Sequence, residues 1–356
     1  MKSSCLTLLL PTLSFIPSTT QTPIPPTTPP PPNTTANTAP CDCYIISGPN
    51  PGYFKNYHFW DFRNVSLPSK QYSQPSSNTL LLTATPFATD WHPQTWNKTG
   101  TTDLLPITNS KSNVFIAPSP DPQKLTLHRT ILLLQTTRLA TSVSTAEIEY
   151  QNPNILHSSL RVRMRVMSKE TALVSQTNSS QQDAKTREKG MTTPKPRPRP
   201  TNNTIPKGAC IGLFTYHSKT CESDIEILTS DPPNTIHYSN QPDYDPITDT
   251  VVPGAGSEVN LTTPWTAWTT HRLDWLRERS VWYADGSMAV EKTYGVPDRP
   301  STVVLNLWSD GGVWTGDLGV GESVFLGVEW IEMAFNVSGD GDGNRCRRAC
   351  YVNDFH

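Results

Sequence analysis

Cys221-Glu-Ser-Asp-Ile-Glu-Ile-Leu228, in a chain of 356 residues, sets acidic and apolar side chains in near-strict alternation. Glu222, Asp224 and Glu226 recur at every second residue, and Ile225 and Ile227 take the opposite parity. Successive side chains on an extended segment point to opposite faces. The pattern therefore predicts a strand with three carboxyls on one face and its isoleucines in a core. A second stretch repeats the rule: Leu160, Val162, Met164 and Val166 alternate with Arg161, Arg163 and Arg165. The arginines are expected on a solvated convex face, with a polyanion patch as the weaker alternative.

Working outward, short runs rich in β-branched and aromatic residues predict further strands. Before the acids they are Tyr44 to Ser47, Tyr57 to Phe62, Thr79 to Thr85, Asn113 to Ala117, Lys124 to Thr136, Ala146 to Tyr150 and Ala209 to His217. After them come His271 to Trp275, Ser280 to Ala284, Val303 to Trp308 and Val324 to Phe335. No segment carries a long helical pattern, so the class is all-β.

Three regions break this pattern. Residues 1–20 hold Lys2 and an apolar run from Leu6 to Ile16 interrupted by Pro11, which reads as a signal peptide. Residues 21–40 are a Pro/Thr-rich stalk that cannot bury enough apolar area to offset its ordering entropy. Residues 169–207 are rich in Gln, Ser, Thr, Lys and Pro and read as a disordered insertion. One domain, 41–352, holds the rest. Sequons at Asn33, Asn64, Asn97, Asn178, Asn202, Asn260 and Asn336 fit a secreted or cell-wall-associated glycoprotein.

Beyond Cys5, the cysteines are Cys41, Cys43, Cys210, Cys221, Cys346 and Cys350. An even set fits disulfides in an oxidising compartment, with fifteen connectivities open. The expected pairing joins Cys210 to Cys221 and the amino-terminal pair to the carboxy-terminal pair. Zinc is disfavoured because no His partner has a fitting spacing. Asp340, Asp342 and Asn344 hint at a calcium loop, but the Gly and terminal Glu of such a loop are not in place. No metal and no cofactor are expected. A net charge of -2 gives no field for nucleic acid or an acidic membrane, so a neutral partner is expected. The protein is also expected to act as a monomer.

The acid row fits one chemistry, with a row of alternating acids on an exposed strand as the plain alternative. Crowded carboxyls cannot all ionise, so at least one pKa rises. Glycoside hydrolysis needs that pairing, with one carboxylate at the anomeric carbon and one carboxylic acid on the leaving oxygen. Glu222 and Glu226 are ~13 Å apart at Cα on a strand, so their side chains must lean together to reach the ~5–5.5 Å of a retaining enzyme. Spacing alone leaves an inverting arrangement open.

Gly212-Leu-Phe-Thr-Tyr216 followed by Glu222-Ser-Asp-Ile-Glu-Ile-Leu-Thr229 resembles the active-site strands of family-16 glycoside hydrolases, whose hallmark is E-x-D-x-E. Tyr238 to Pro242, His271 to Trp275, Val281 to Gly286 and Leu305 to Trp314 follow in the order of a fungal secreted branch. Cys41 to Tyr44 and Phe59 to Arg63 look like its opening strands. The resemblance implies a concanavalin-A-like jelly-roll β-sandwich of two antiparallel sheets and a retaining mechanism on β-1,3 or mixed β-1,3/1,4 glucan polysaccharide. By motif position it makes Glu222 the nucleophile, Asp224 its helper and Glu226 the general acid/base. It suggests Trp308 and Trp314 as cleft-wall rings and Asn240 and Gln241 as hydroxyl partners, each with a core role as the alternative. Thr269 stands where many members carry a His. A lectin-like glucan-binding protein and a transglycosylase remain the alternative functions.

Overall fold

The computed structural model describes residues 41–48, 52–68, 78–121, 129–173, 204–340 and 346–352. The signal and stalk assigned to residues 1–40 lie outside the described residues, as does most of the 169–207 insertion. Its first residues are described: Lys169–Ala172 is a helical turn capped by Ser168, whose Oγ accepts from Thr171 N at 3.2 Å.

Two sheets face each other across one core. The first runs, in spatial order, Trp91–Pro93, Val143–Tyr150, Thr302–Trp308, Cys210–Ser218, Cys221–Leu228, Thr235–Asn240 and Gly256–Asn260, all antiparallel. The second is built on the long strand Ser323–Val337. Thr130–Arg138 and Asn56–Asp61 pair along one edge of that strand and Ile155–Ser168 along the other. Thr269–Trp275, Ser280–Ala284 and Ser287–Lys292 extend the sheet from there. Val143–Tyr150 enters both sheets, its first residues also pairing in parallel with Ile107–Asn109. The architecture is the all-β jelly-roll sandwich expected from the sequence.

Parity fills the core. Ile225, Ile227, Leu213, Leu305 and Ile148 come from the first sheet, and Leu160, Val162, Met164, Val166 and Leu326 from the second. Each is at most 1% exposed. Burying a side chain of this size stabilises by about 1.5–3 kcal/mol. That gain fixes the face each strand presents, because a slip by one residue would send every apolar group to the wrong side.

The arginine row is not a solvated face. Arg161 is 8% exposed and pairs with Glu332 at 3.3 Å, while Arg163 pairs with Glu329 at 2.9 Å and Arg165 with Asp121 at 3.1 Å. Alternation gave the correct face, but the acids that pair with it sit on the neighbouring strand, 171 and 166 residues away, or on a loop 44 residues away, where a local pattern cannot reveal them.

Of the expected cysteine pairing, the joining of the amino-terminal pair to the carboxy-terminal pair holds and the Cys210–Cys221 bridge does not. Cys41–Cys350 and Cys43–Cys346 join the two ends of the domain, beside a parallel pairing of Cys43–Ile45 with Ala349–Tyr351. Cys210 and Cys221 are buried thiols outside either disulfide. In the hairpin that carries them, Cys210 is paired with Leu228 and Cys221 with Ser218. Seven residues of strand, roughly 23 Å, separate the two positions along the sheet, far beyond disulfide reach.

Thr79 to Thr85 also differs: only Leu80–Leu81 is extended, and Leu82–Ala84 turns into a 3-10 helix. Among the strands that went unread are Thr235–Asn240, Gly256–Asn260 and Ser287–Lys292. All three are rich in Ser, Asn, Glu or Lys and carry few β-branched residues.

Candidate active site

The acid strand Cys221–Leu228 is central in the first sheet, between Cys210–Ser218 and Thr235–Asn240. Cross-strand register fixes what shares its outer face. Glu222 is paired with Tyr216, Asp224 with Phe214 and Ser239, and Glu226 with Gly212 and His237. One strand further on, Gly212 is paired with Asn306 and Asn306 with Glu147. The three predicted carboxyls do share one face, while Ile225 and Ile227 pack in the core.

The acids lie deep: Glu222 is 3%, Asp224 1% and Glu226 3% exposed. Around them Glu149, Trp96, His237 and Trp314 are partly exposed, so the same face reaches solvent at its margins. Burial pushes the Glu222 carboxyl well above the usual carboxylate range, and the adjacent Asp224 charge adds to it. Burial likewise raises Asp224 to about 6, against the pull of hydrogen bonds that favour its ionised form. Those bonds come from Ser239 Oγ and Gln241 Nε2, each 2.9 Å from Asp224 Oδ2. Glu222 and Asp224 also hydrogen-bond to each other. Asp224 Oδ1 is buried and meets no N–H or hydroxyl, which suits it to accept a proton carried by Glu222.

Glu226 is held differently. Trp314 Nε1 donates to its Oε1 at 3.3 Å, and the Cys210 thiol lies 3.6 Å from the same oxygen. The Trp314 ring meets His237 at 5.1 Å and 65°, and His237 Nε2 sits 2.6 Å from Asp231 Oδ2.

The other suggested site residues separate. Gln241 touches Asp224 directly, and its backbone N–H donates to the Glu222 carbonyl. Trp308 lies at the end of the acid face but is only 3% exposed, packed with Ile107, Cys210 and Leu228. Asn240 is on the wrong side. It pairs with Ser223, opposite in parity to the acids, accepts from Ser223 Oγ and donates to Tyr294 O at 2.8 Å. Its side chain is therefore turned away from the acids. Thr269, at 0% exposure, belongs to the second sheet and pairs with Met164, so this departure from the family pattern does not alter the acid-bearing sheet.

Sequence reading missed Glu147 and Glu149. Glu147 is 1% exposed and accepts from Trp96 Nε1 at 2.7 Å and Asn306 Nδ2 at 3.3 Å. Burial, with Glu149 beside it, pushes its pKa up to about 8. The signal was present, because Ala146-Glu-Ile-Glu-Tyr150 has the same two-residue alternation as the acid strand. Among the described residues no group of three or more His, Cys, Asp or Glu is arranged to hold a metal ion.

No family model matches the sequence. The chain is 27% identical over 148 residues to a beta-glucanase of Bacillus subtilis (strain 168), covering 38% of this chain and 54% of that protein. It is 27% identical over 73 residues to a beta-glucanase of Paenibacillus polymyxa, covering 20% of this chain and 31% of that one. The chain thus spans between a third and about half the length of these curated relatives. Among solved structures, the Bacillus licheniformis beta-glucanase overlays with a TM-score of 0.48 at 14% identity, covering 79% of this chain and 98% of that chain. SCLam, a non-specific endo-beta-1,3(4)-glucanase from family GH16, overlays with a TM-score of 0.46 at 18% identity, covering 76% and 92%. The resemblance read from the sequence is borne out by the β-glucanase relatives; its fungal branch has no counterpart among them.

Proposed function

We propose that this chain is a glycoside hydrolase of the family-16 type that cleaves β-1,3 or mixed β-1,3/1,4 glucan by retaining double displacement. The observation that carries the reading is the row Glu222, Asp224 and Glu226 on one strand face, with two of its carboxyls joined by a hydrogen bond. In the first step Glu226 gives its proton to the glycosidic oxygen while the Glu222 carboxylate bonds to the anomeric carbon and the leaving sugar departs. In the second, the Glu226 carboxylate takes a proton from water, whose oxygen replaces Glu222 at the anomeric carbon. Asp224 takes up the proton that Glu222 must lose before it attacks. A sugar acceptor in place of water would make the same site a transglycosylase.

The two disulfides and the sequons support an extracellular or wall-associated location, with a polysaccharide as partner, and a protein that works as a monomer without cofactor. Residues 1–20 as a signal peptide and 21–40 as a stalk belong to the same proposal.

Incubation with laminarin and lichenan tests it. New reducing ends or transfer products are expected, lost in Glu222→Gln. Their absence from well-folded wild-type protein would sink the enzyme reading. The depth of the acids, at 1–3% exposure, favours a second reading as a lectin-like binding protein. Glucan binding without turnover, equal in wild type and Glu222→Gln, would select it.

A further inference from the structure

Lys292 ends the strand Ser287–Lys292 of the second sheet and is 6% exposed, the one buried residue of that strand. A lysine is seldom buried unless its ammonium is paired. Its Nζ donates across to the first sheet, to Ser257 Oγ at 2.7 Å and to Gly254 O at 3.2 Å. Burial pushes its pKa down, and the Asp243 charge opposes that.

The segment that Lys292 grips lies next to the acids. Gly256, between the two bonded residues, is the register partner of Ser239. Ser239 Oγ and Gln241 Nε2 are the two donors to Asp224 Oδ2. Asn240 N donates to Ala255 O, so residues 239–241 and 254–257 run side by side as one ribbon. The chain just after Lys292 braces the same ribbon. Tyr294 O accepts from Asn240 Nδ2 at 2.8 Å, and a Cβ on Gly295 would stand 3.1 Å from Gln241 O.

We propose that Lys292 is a positioning residue for the carboxyl pair: from the opposite sheet it pins the ribbon of residues 239–241 and 254–257, and so keeps Ser239 and Gln241 on Asp224. This rests on the reading of Glu222 and Asp224 as nucleophile and helper. The charged groups that bear on Asp224 are Glu222 beside it and Asp243 on the loop that the ribbon carries, with Lys292 and Asp243 acting on each other. Positioning and charge are separable here, because Ser257→Ala removes the shorter Lys292 bond and leaves every charge in place.

Titration of Asp224 tests this without turnover. Protein labelled with 13C at the aspartate carboxyl is followed by NMR, the Asp224 resonance being identified by its loss in Asp224→Asn. Loosened donors favour the ionised form less, so Asp224 should titrate about half a unit or more higher in both Lys292→Met and Ser257→Ala. An unmoved Asp224 in Ser257→Ala overturns the proposal, and a shift confined to Lys292→Met reduces the lysine to a charge effect and overturns it as well.

Hydrogen exchange separates a local brace from general stability. In Lys292→Met the amides of Asn240 and Gln241, which donate to Ala255 O and Glu222 O, should exchange about tenfold faster, while those of Thr130–Arg138 in the second sheet keep their protection. Equal acceleration in both places would make Lys292 a stabilising contact only. With glucan, Lys292→Met should lower kcat roughly tenfold with little change in KM, since Glu222 loses its proton to a less firmly held Asp224; an unchanged kcat overturns the assignment. Should wild type turn over neither laminarin nor lichenan, the enzyme reading falls, while titration and exchange still decide whether Lys292 holds the donors of Asp224 in place.

Discussion

The carboxyls of Glu222 and Asp224 hydrogen-bond to each other, which two carboxyl groups can do only when one of them is protonated. Asp224 is further held by Ser239 and Gln241, both donating to Oδ2. Those donors favour charge on Asp224, and the Asp224 charge in turn favours a proton on Glu222. Replacing Asp224 with Asn removes that charge. Burial still raises Glu222, but the repulsion is gone, so its pKa falls. The limb of the activity profile that requires ionised Glu222 should therefore move to lower pH, and turnover should drop by roughly 100-fold for want of a proton acceptor. A pH–kcat/KM profile checks both. An unshifted acidic limb would mean that the two carboxyls are not coupled.

Glu147 predicts a stability that declines with pH. In the unfolded chain it titrates near 4.5 and in the fold at about 8. Its folded pKa is raised, so its contribution is fully present below about 4.5 and is lost as pH rises toward 8. The loss is a few kcal/mol in order of magnitude. Glu147→Gln keeps the bond from Trp96 but sets an amide N–H against Asn306 Nδ2. The variant should be about 1 kcal/mol less stable at pH 5 and more stable than wild type at pH 9. Urea unfolding across that range measures it, and parallel curves for the two proteins would refute the buried acid.

Period-two alternation made the central part of the fold legible, because it is local: it placed Ile225 and Ile227 in the core and three acids together from a single strand. What alternation cannot carry is the identity of cross-strand neighbours. Arg161 beside Glu332, Glu226 beside His237 and Cys210 far from Cys221 are all consequences of register. Asn240 shows the same limit, since its neighbour Gln241 reaches the acids while Asn240 itself points into the sandwich. Glu147 is readable in principle, but two acids around one Ile on a strand look like a solvated edge until the sheet order puts Glu147 opposite Asn306.

Gly212 is the residue through which the acid row and Glu147 are joined. Its N–H donates to Asn306 Oδ1 at 3.1 Å, and a Cβ there would stand 2.7 Å from that oxygen and 3.2 Å from the Phe214 ring. Because the obstructing atoms belong to side chains, Gly212→Ala should fold, with Asn306 displaced. Overpacking of this kind costs about 1–3 kcal/mol. Glu147 would lose its Asn306 donor, and Glu226, across the strand pair, would face a methyl group. Lower thermal stability together with a marked fall in glucan turnover is expected. Wild-type values for both would show that the face is not close-packed at this point.

The two disulfides close almost the same loop, Cys41–Cys350 with a separation of 309 and Cys43–Cys346 with 303. In the chain-entropy picture one such closure contributes about 5 kcal/mol, and a second across nearly the same span adds little. Cys41→Ser with Cys350→Ser should therefore lower stability only slightly, as should the other pair, whereas removing all four cysteines should cost several kcal/mol. The strand Cys43–Ile45, paired in parallel with Ala349–Tyr351, should then be the first to exchange its amides with solvent. Hydrogen exchange and denaturant unfolding of the three variants check this. A large loss from either single pair would mean that native contacts at that bridge, and not closure of the chain, supply the stability. Thiol labelling adds a control: Cys210 and Cys221 are buried thiols outside either disulfide, so both should react in denaturant and resist reagent in the folded protein.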